Sequence, residues 1–139
     1  MRRLALVFIA LCLSLPALAE RKQSFGDLDV HYSAFNSSFL QPEIASATGL
    51  VRSKSQGVVN IAVLKAGQPS SASVEGAVKN LIGQSYPLKF KQVTEGSAIY
   101  YLAQFPFEGR EVLRFTINVT AEGGTAHSFD FSQEFFPDE

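Results

Sequence analysis

The chain has 139 residues, with 12 lysines and arginines against 13 aspartates and glutamates, and its formal net charge is −1. The length suits one ordinary domain. Its basic residues are dispersed and form no Lys/Arg-rich run, which argues against a surface that follows nucleic-acid phosphates and against a basic membrane-binding helix.

The beginning of the chain has the order of a secretory signal peptide. Arg2 and Arg3 precede the apolar run Leu4–Leu15, and Ala17-Leu18-Ala19 supplies a small-residue cleavage site before Glu20. The apolar run is too short to cross a hydrocarbon layer of ~30 Å at ~1.5 Å per residue. The sequence therefore predicts an exported protein.

We accordingly predict two parts, a cleaved leader of residues 1–19 and a single exported domain of residues 20–139. After cleavage the domain is expected not to insert into a membrane. The one cysteine, Cys12, lies inside the leader, so the exported domain is expected to fold without a disulfide. A domain of this size can bury about two-thirds of the surface of its unfolded chain.

Strand patterns dominate the first half of this domain. Apolar and polar residues alternate over residues 28–35, as in a half-buried strand. The mostly apolar run Gly57–Lys65 predicts a central strand that is covered on both faces. Residues 73–82 fit either a helix or a strand, and Gly76 and Gly83 favour the strand because glycine destabilises helices.

One short helix is predicted between these strands, near residues 42–48. Pro42 suits the first helical position, and Glu43 complements the positive end of the helix dipole. Gly49 suits the C-terminal cap.

The second half of the domain predicts four strands, at residues 88–93, 98–105, 112–121 and 126–135. Short glycine-bearing connections separate them, which indicates hairpins and therefore a meander. The whole pattern predicts an all-β fold, an antiparallel sandwich of about seven strands with one short helix.

A group of residues that spans nearly all of the exported domain is similar to a known family of small exported bacterial proteins. The residues that carry the similarity are Phe25-Gly26-Asp27, Val30-His31-Tyr32, Phe35-Asn36-Ser37, Phe39-Leu40, Pro42-Glu43-Ile44-Ala45, Arg52-Ser53-Lys54, Gly96-Ser97-Ala98-Ile99-Tyr100-Tyr101 and Val112-Leu113-Arg114-Phe115. The sequence thereby resembles domain of unknown function 4426. This resemblance implies an immunoglobulin-like β-sandwich in the periplasm of a Gram-negative bacterium, and it implies no activity, cofactor or binding residue.

Residues that could carry catalysis or bind a metal are scarce. His31 shares a strand face with polar residues and His127 shares one with phenylalanines, so the two are not expected to converge on a metal ion. The sequence has no G-x-S-x-G elbow, P-loop or dinucleotide-binding motif. We therefore predict no catalytic residue, no metal and no cofactor. A Ser–His–Asp triad assembled in space stays open.

The segment Phe35–Lys54 is longer than a simple strand connection, and such segments often bind ligands. In the functional interpretation, Asn36 and Arg52 donate hydrogen bonds to a carboxylate or a peptide backbone. In the structural interpretation, Leu40 and Ile44 cap an open end of the sandwich, and Arg52 forms a surface ion pair.

Tyr100 and Tyr101 form a second candidate surface, because adjacent strand residues point to opposite faces. If Tyr101 belongs to the core, Tyr100 lies outside and can either stack on a sugar or a partner or simply cover the sheet.

Our first functional hypothesis is a non-catalytic module that binds another envelope protein or an envelope component. The partner would dock by strand addition at an exposed sheet edge or on the Phe35–Lys54 segment. The alternative is a small-molecule or metal-ion binding module that uses His31, Asn36 and Arg52. A hydrolase is the third hypothesis, and the sequence indicates no oligomeric state.

Overall fold

The computed structural model describes residues 21–136. The predicted leader, residues 1–19, lies outside the described residues, and its cleavage stays a prediction. In the part of the chain that is described, no helix is long and apolar enough to cross a membrane. The elements of this part are β1 (Arg21–Phe25), β2 (Leu28–Asn36), a 3-10 turn (Ser37–Phe39), α1 (Pro42–Thr48), β3 (Gln56–Lys65), β4 (Gln68–Pro69), β5 (Ala72–Lys79), β6 (Ser85–Leu88), β7 (Lys91–Glu95), β8 (Ala98–Pro106), β9 (Glu111–Ala121) and β10 (Ala126–Phe135).

These strands form two antiparallel sheets. Sheet 1 has the order β1-β2-β3-β8-β7, with the two-residue strand β4 also paired to β3. Sheet 2 has the order β10-β9-β5-β6. The inner faces of the two sheets share one apolar core, so the predicted all-β, immunoglobulin-like antiparallel sandwich with one short helix is confirmed.

Two details of the predicted strand arrangement are wrong. Residues 88–93 are not one strand, because Leu88 ends β6 in sheet 2 and Lys91 begins β7 in sheet 1. The last four predicted strands are also not a meander, since β8 and β9 belong to different sheets. The alternation of apolar and polar residues is the same whichever sheet a strand joins, so the crossings between sheets leave no local signal.

The undecided stretch at residues 73–82 is resolved by the structure. It is a strand as far as Lys79, and it ends in the turn Asn80–Gln84. A Cβ on Gly76 would lie 2.5 Å from the carbonyl oxygen of Thr116 on the neighbouring strand β9. The glycine therefore allows the two backbones to approach closely, which agrees with its place in a sheet.

Aromatic side chains fill the core between the sheets. The Phe105 ring meets the rings of Phe115 and Phe135 edge-on, with centroids 5.1 and 5.2 Å apart, which is a preferred geometry for aromatic pairs. Tyr101 is buried, and its hydroxyl accepts a hydrogen bond of 2.8 Å from the backbone N–H of Ala72 in sheet 2. The phenol therefore ties one sheet to the other.

The central strand β3 is buried on both faces, as predicted. Its inner face contributes Val59, Ile61 and Val63 to the core between the sheets. On its outer face, Val58 packs with Leu102 of β8 and with residues of the helical segment, forming a second apolar cluster. The strand is therefore covered by sheet 2 on its inner face and by the helical segment on its outer face, which accounts for its mostly apolar sequence.

The helix α1 covers this outer face. It spans Pro42–Thr48 with proline in its first turn, and Gly49 ends it in the left-handed conformation at φ 73°, as predicted. Leu40 and Ala45 are buried against sheet 1. The expectation that Leu40 and Ile44 cap an open end of the sandwich is wrong, because both pack on the outer face of sheet 1.

Candidate functional site

A groove runs between the helical segment and the outer face of sheet 1. We call it the helix groove, and its volume is about 340 Å³. This volume lies at the lower end of the range of ~300–1,000 Å³ for small-ligand sites. Its lining consists of Phe35, Phe39, Leu40, Gln41, Ile44, Asn60, Val93, Glu95, Tyr100 and Leu102.

The helix groove exists because the chain leaves sheet 1 and returns to lie across it. Asn36 ends β2, and the 3-10 turn and α1 then carry Phe39 and Ile44 over the sheet. Leu40 and Ala45 anchor this segment through their burial. Phe39 is left 71% exposed at the groove, so an apolar ring faces solvent beside an apolar wall.

The side chain of Asn60 lines the helix groove from the central strand β3. In the sheet register, Asn60 pairs with Ser33 of β2 on one side and with Leu102 of β8 on the other. Its Oδ1 atom is buried, and among the described residues it has no hydrogen-bond partner. A buried acceptor that is left unpaired costs about 1–3 kcal/mol, so a hydrogen-bond donor that reached this oxygen would be stabilising.

Charge in the helix groove has one sign. Within residues 21–136, Glu95 is the charged residue of its lining, and no lysine or arginine lines it. Lys91 lies on the same face of β7, but its ammonium group donates a hydrogen bond to the backbone carbonyl of Thr48 at the end of α1. That contact suits a cation at a helix C-terminus. The groove therefore offers acceptors and aromatic surface with no resident cation in its lining.

Of the four site residues predicted from the sequence, Tyr100 lines the helix groove. The structure thereby brings Tyr100 together with the Phe35–Lys54 segment, which the sequence analysis treated as separate candidates. Tyr100 is half-buried on the outer face of β8, and Tyr101 faces the core. Both orientations follow the expected alternation.

His31 lies on the same outer face but outside the groove lining. It pairs with Ala62 of β3, and Ala62 is level with Tyr100 because Ile61 pairs with Tyr101. His127 instead stacks on Phe25 with ring centroids 4.4 Å apart, at the edge of the core. His31 thus lies on the outer face of sheet 1 and His127 on the inner face of sheet 2, as expected from their strand patterns.

The other two candidates are engaged within the fold. Asn36 is 8% exposed, and its Nδ2 donates a hydrogen bond of 2.7 Å to the backbone carbonyl of Phe136. Arg52 is exposed, and its Nη2 donates a hydrogen bond of 3.0 Å to the backbone carbonyl of Ser38. Neither side chain lines the helix groove, and a ligand role for either one stays a prediction.

A second surface of interest is the tip of the β5–β6 hairpin. Leu81 and Ile82 are 82% and 81% exposed there. The tip is held by Asn80, whose Oδ1 accepts a hydrogen bond of 2.8 Å from the backbone N–H of Gln84, and whose Nδ2 donates one of 2.8 Å to the Gln84 side chain. The two aliphatic side chains are therefore displayed on an ordered turn.

Asn60 is the feature of the site that sequence reasoning missed. It is the one polar residue between Gly57 and Lys65, in a run that was described above only as mostly apolar. The available signal was a polar residue in the middle of a strand that is predicted to be buried on both faces. Such a residue needs a hydrogen-bond partner.

No group of three or more histidine, cysteine, aspartate or glutamate side chains that could hold a metal ion occurs in residues 21–136.

This chain is similar to proteins of two kinds. The family described as Domain of unknown function (DUF4426) matches residues 22–138. The crystal structure of a DUF4426 family protein from Pseudomonas aeruginosa PAO1 is 56% identical, with a TM-score of 0.83 over 89% of this chain and 100% of that chain.

The second group is FetP of uropathogenic E. coli strain F11. Its structure is 11% identical, with a TM-score of 0.64 over 87% of this chain and 96% of that chain. A copper-bound variant of FetP is 13% identical, with a TM-score of 0.58 over 86% and 95%. At these identities the likeness shows the fold alone. No protein with a curated description matches this chain.

Proposed function

The chain belongs to the DUF4426 family, whose name states no activity, and from this premise we propose that the protein is a non-catalytic binding module of the periplasm. The helix groove is its binding site. It receives a protruding group of another envelope protein or of an envelope component.

The unpaired amide of Asn60 carries this proposal. Natural proteins pair nearly all of their buried polar groups, and an exception calls for a reason such as a ligand that completes the pairing. A partner group that donates a hydrogen bond to the Asn60 Oδ1 would satisfy this buried acceptor.

The location in the periplasm is supported by two observations. The predicted leader indicates export. FetP, whose fold resembles that of this chain, was recombinantly expressed in the periplasm of E. coli.

Site-specific photocrosslinking in living cells tests the proposal. A photoreactive benzoyl-phenylalanine is placed at position 39, at the groove, and as a matched control at position 81, on the β5–β6 tip. The native side chains at these positions are 71% and 82% exposed, so the two probes have similar access to partners. We expect a discrete adduct from position 39 that weakens when Asn60→Leu is added. An adduct from position 81 alone, or none from position 39, would overturn the groove as the site.

Metal-ion binding is the competing function, and the copper-bound structure of a FetP variant is the observation that favours it. Calorimetric titration of the purified protein with copper separates the two. Stoichiometric binding that is lost in His31→Ala would replace the present proposal, and binding that survives this change would place the metal elsewhere.

A further inference from the structure

The lining of the helix groove also indicates which chemical group enters it. Resting on the proposed function, we propose that the groove receives a basic side chain, lysine or arginine, from an extended partner polypeptide. Three observations point to this occupant: the charge of the lining, its aromatic surface, and its position beside a free sheet edge.

Charge complementarity is the first observation. Glu95 is the charged lining residue, and the Oδ1 of Asn60 is a buried acceptor without a partner among residues 21–136. A carboxylate only accepts hydrogen bonds, whereas an ammonium or guanidinium group only donates them. Lys91, the nearby cation on β7, is already bonded to the carbonyl of Thr48. An incoming cation would therefore supply the positive charge that the lining lacks, together with a donor for the Asn60 Oδ1.

Aromatic surface is the second observation. Phe35, Phe39 and Tyr100 all line the groove, and cations are attracted to the faces of aromatic rings. Most of the remaining wall is aliphatic and includes Ile44 and Leu102. Lysine and arginine carry their charge on an apolar stem that packs along such surfaces. An acidic or small polar side chain would match neither the wall nor the charge.

Position is the third observation. The strand β7 is the outermost strand of sheet 1, and its residues Val93 and Glu95 line the groove. A polypeptide that lies along this edge, as in strand addition, passes directly beside the groove opening. The two docking routes that the sequence left open, the sheet edge and the Phe35–Lys54 segment, thus meet at one place. A volume of about 340 Å³ suits one inserted side chain.

NMR titration of the ¹⁵N-labelled protein tests this inference with two probes. Acetyl-lysine methylamide carries the ammonium group, and acetyl-norleucine methylamide has the same stem without it. We expect saturable shifts at Asn60, Val93 and Tyr100, with the lysine probe binding more tightly by up to about fivefold, as for an exposed ion pair. Added salt should reduce this preference.

Matched variants locate the charge effect. Glu95→Gln is expected to bring the affinity for the lysine probe down to that for the norleucine probe. Glu43→Gln, which changes an exposed carboxylate on α1 outside the lining, is expected to leave the preference unchanged.

The outcomes separate this inference from the proposed function. Equal shifts with both probes at the groove residues would overturn the basic occupant and leave the groove as a binding site. A lysine preference that persists in Glu95→Gln would also overturn it. The absence of shifts with either probe counts against the basic occupant, while crosslinking from position 39 tests the groove independently.

Discussion

Asn60→Leu is expected to stabilise the protein while it weakens binding at the helix groove. The substitution removes a buried oxygen that has no hydrogen-bond partner in the described part of the chain, and such an atom costs about 1–3 kcal/mol. The leucine would meet Val58 and Leu102, which are both buried in the second apolar cluster. We therefore expect the free energy of unfolding to rise by about 1–3 kcal/mol.

Urea unfolding measures this gain as a higher midpoint with an unchanged slope. For a domain of about 120 residues, an unfolding entropy of about 2.1 cal/mol/K per residue converts each kcal/mol into about 4 °C, so the Tm should rise by roughly 4–12 °C. Asn118→Leu is the matched control. Asn118 is an exposed strand residue in β9, and its replacement should change stability by less than about 0.5 kcal/mol.

Stability and crosslinking test the role of Asn60 separately. If Asn60→Leu lowers stability by 1 kcal/mol or more on the scale of a lost hydrogen bond, the amide is already paired in the native protein, and the groove loses the observation that carries its assignment. If stability rises but the crosslink from position 39 is unchanged, the amide is unpaired but takes no part in binding.

Three further predictions concern packing, helix capping and pH. Gly57→Ala should lower the free energy of unfolding by about 1–3 kcal/mol, because the new Cβ would lie 2.4 Å from Cζ of the buried Phe105 ring. An unchanged urea midpoint would mean that the ring moves aside without cost. Gly49→Ala should lower the free energy of unfolding by about 1–2 kcal/mol, because Gly49 ends α1 in the left-handed conformation at φ 73°, which a residue with a Cβ disfavours. A urea midpoint equal to that of the wild type would contradict this. The hydrogen bond from Arg114 lowers the pKa of Asp130 in the folded protein. The ionised carboxylate therefore stabilises the fold fully above the unfolded pKa of ~3.9. This contribution is lost as the pH falls through the lower folded pKa. Asp130→Asn should therefore lower the urea midpoint slightly at pH 7, by less than about 1 kcal/mol, and leave it unchanged near pH 2, whereas equal effects at both values would refute the linkage.

Local patterns predicted much of the secondary structure. The helix bounds agree because Pro42 and Gly49 act through their own backbone geometry. The alternation of residues correctly separated Tyr101 from Tyr100 and His127 from His31, because successive side chains of a strand point to opposite faces. These features depend on residues that are close together in the chain.

The site was predicted only in part. Tyr100 and the Phe35–Lys54 segment were both singled out, and the structure joins them in the helix groove. The sequence pattern did not identify Asn60, because the burial of its side chain depends on α1. This helix lies about fifteen residues earlier in the sequence and packs over the outer face of β3. Glu95 lines the groove because β7 joins sheet 1, although the sequence analysis merged β7 with β6.

The amino-acid sequence alone therefore determines most of the strands, the short helix and the face on which their side chains lie, since these follow from local backbone preferences and a period of two residues. The tertiary structure decides which strand joins which sheet and where the helix packs. Pairing between strands is a non-local choice, and a strand with one apolar face satisfies it equally well in either sheet. The helix groove forms because β7 joins sheet 1 and α1 packs on the outer face of that sheet, which brings Asn60 and Glu95 into one lining.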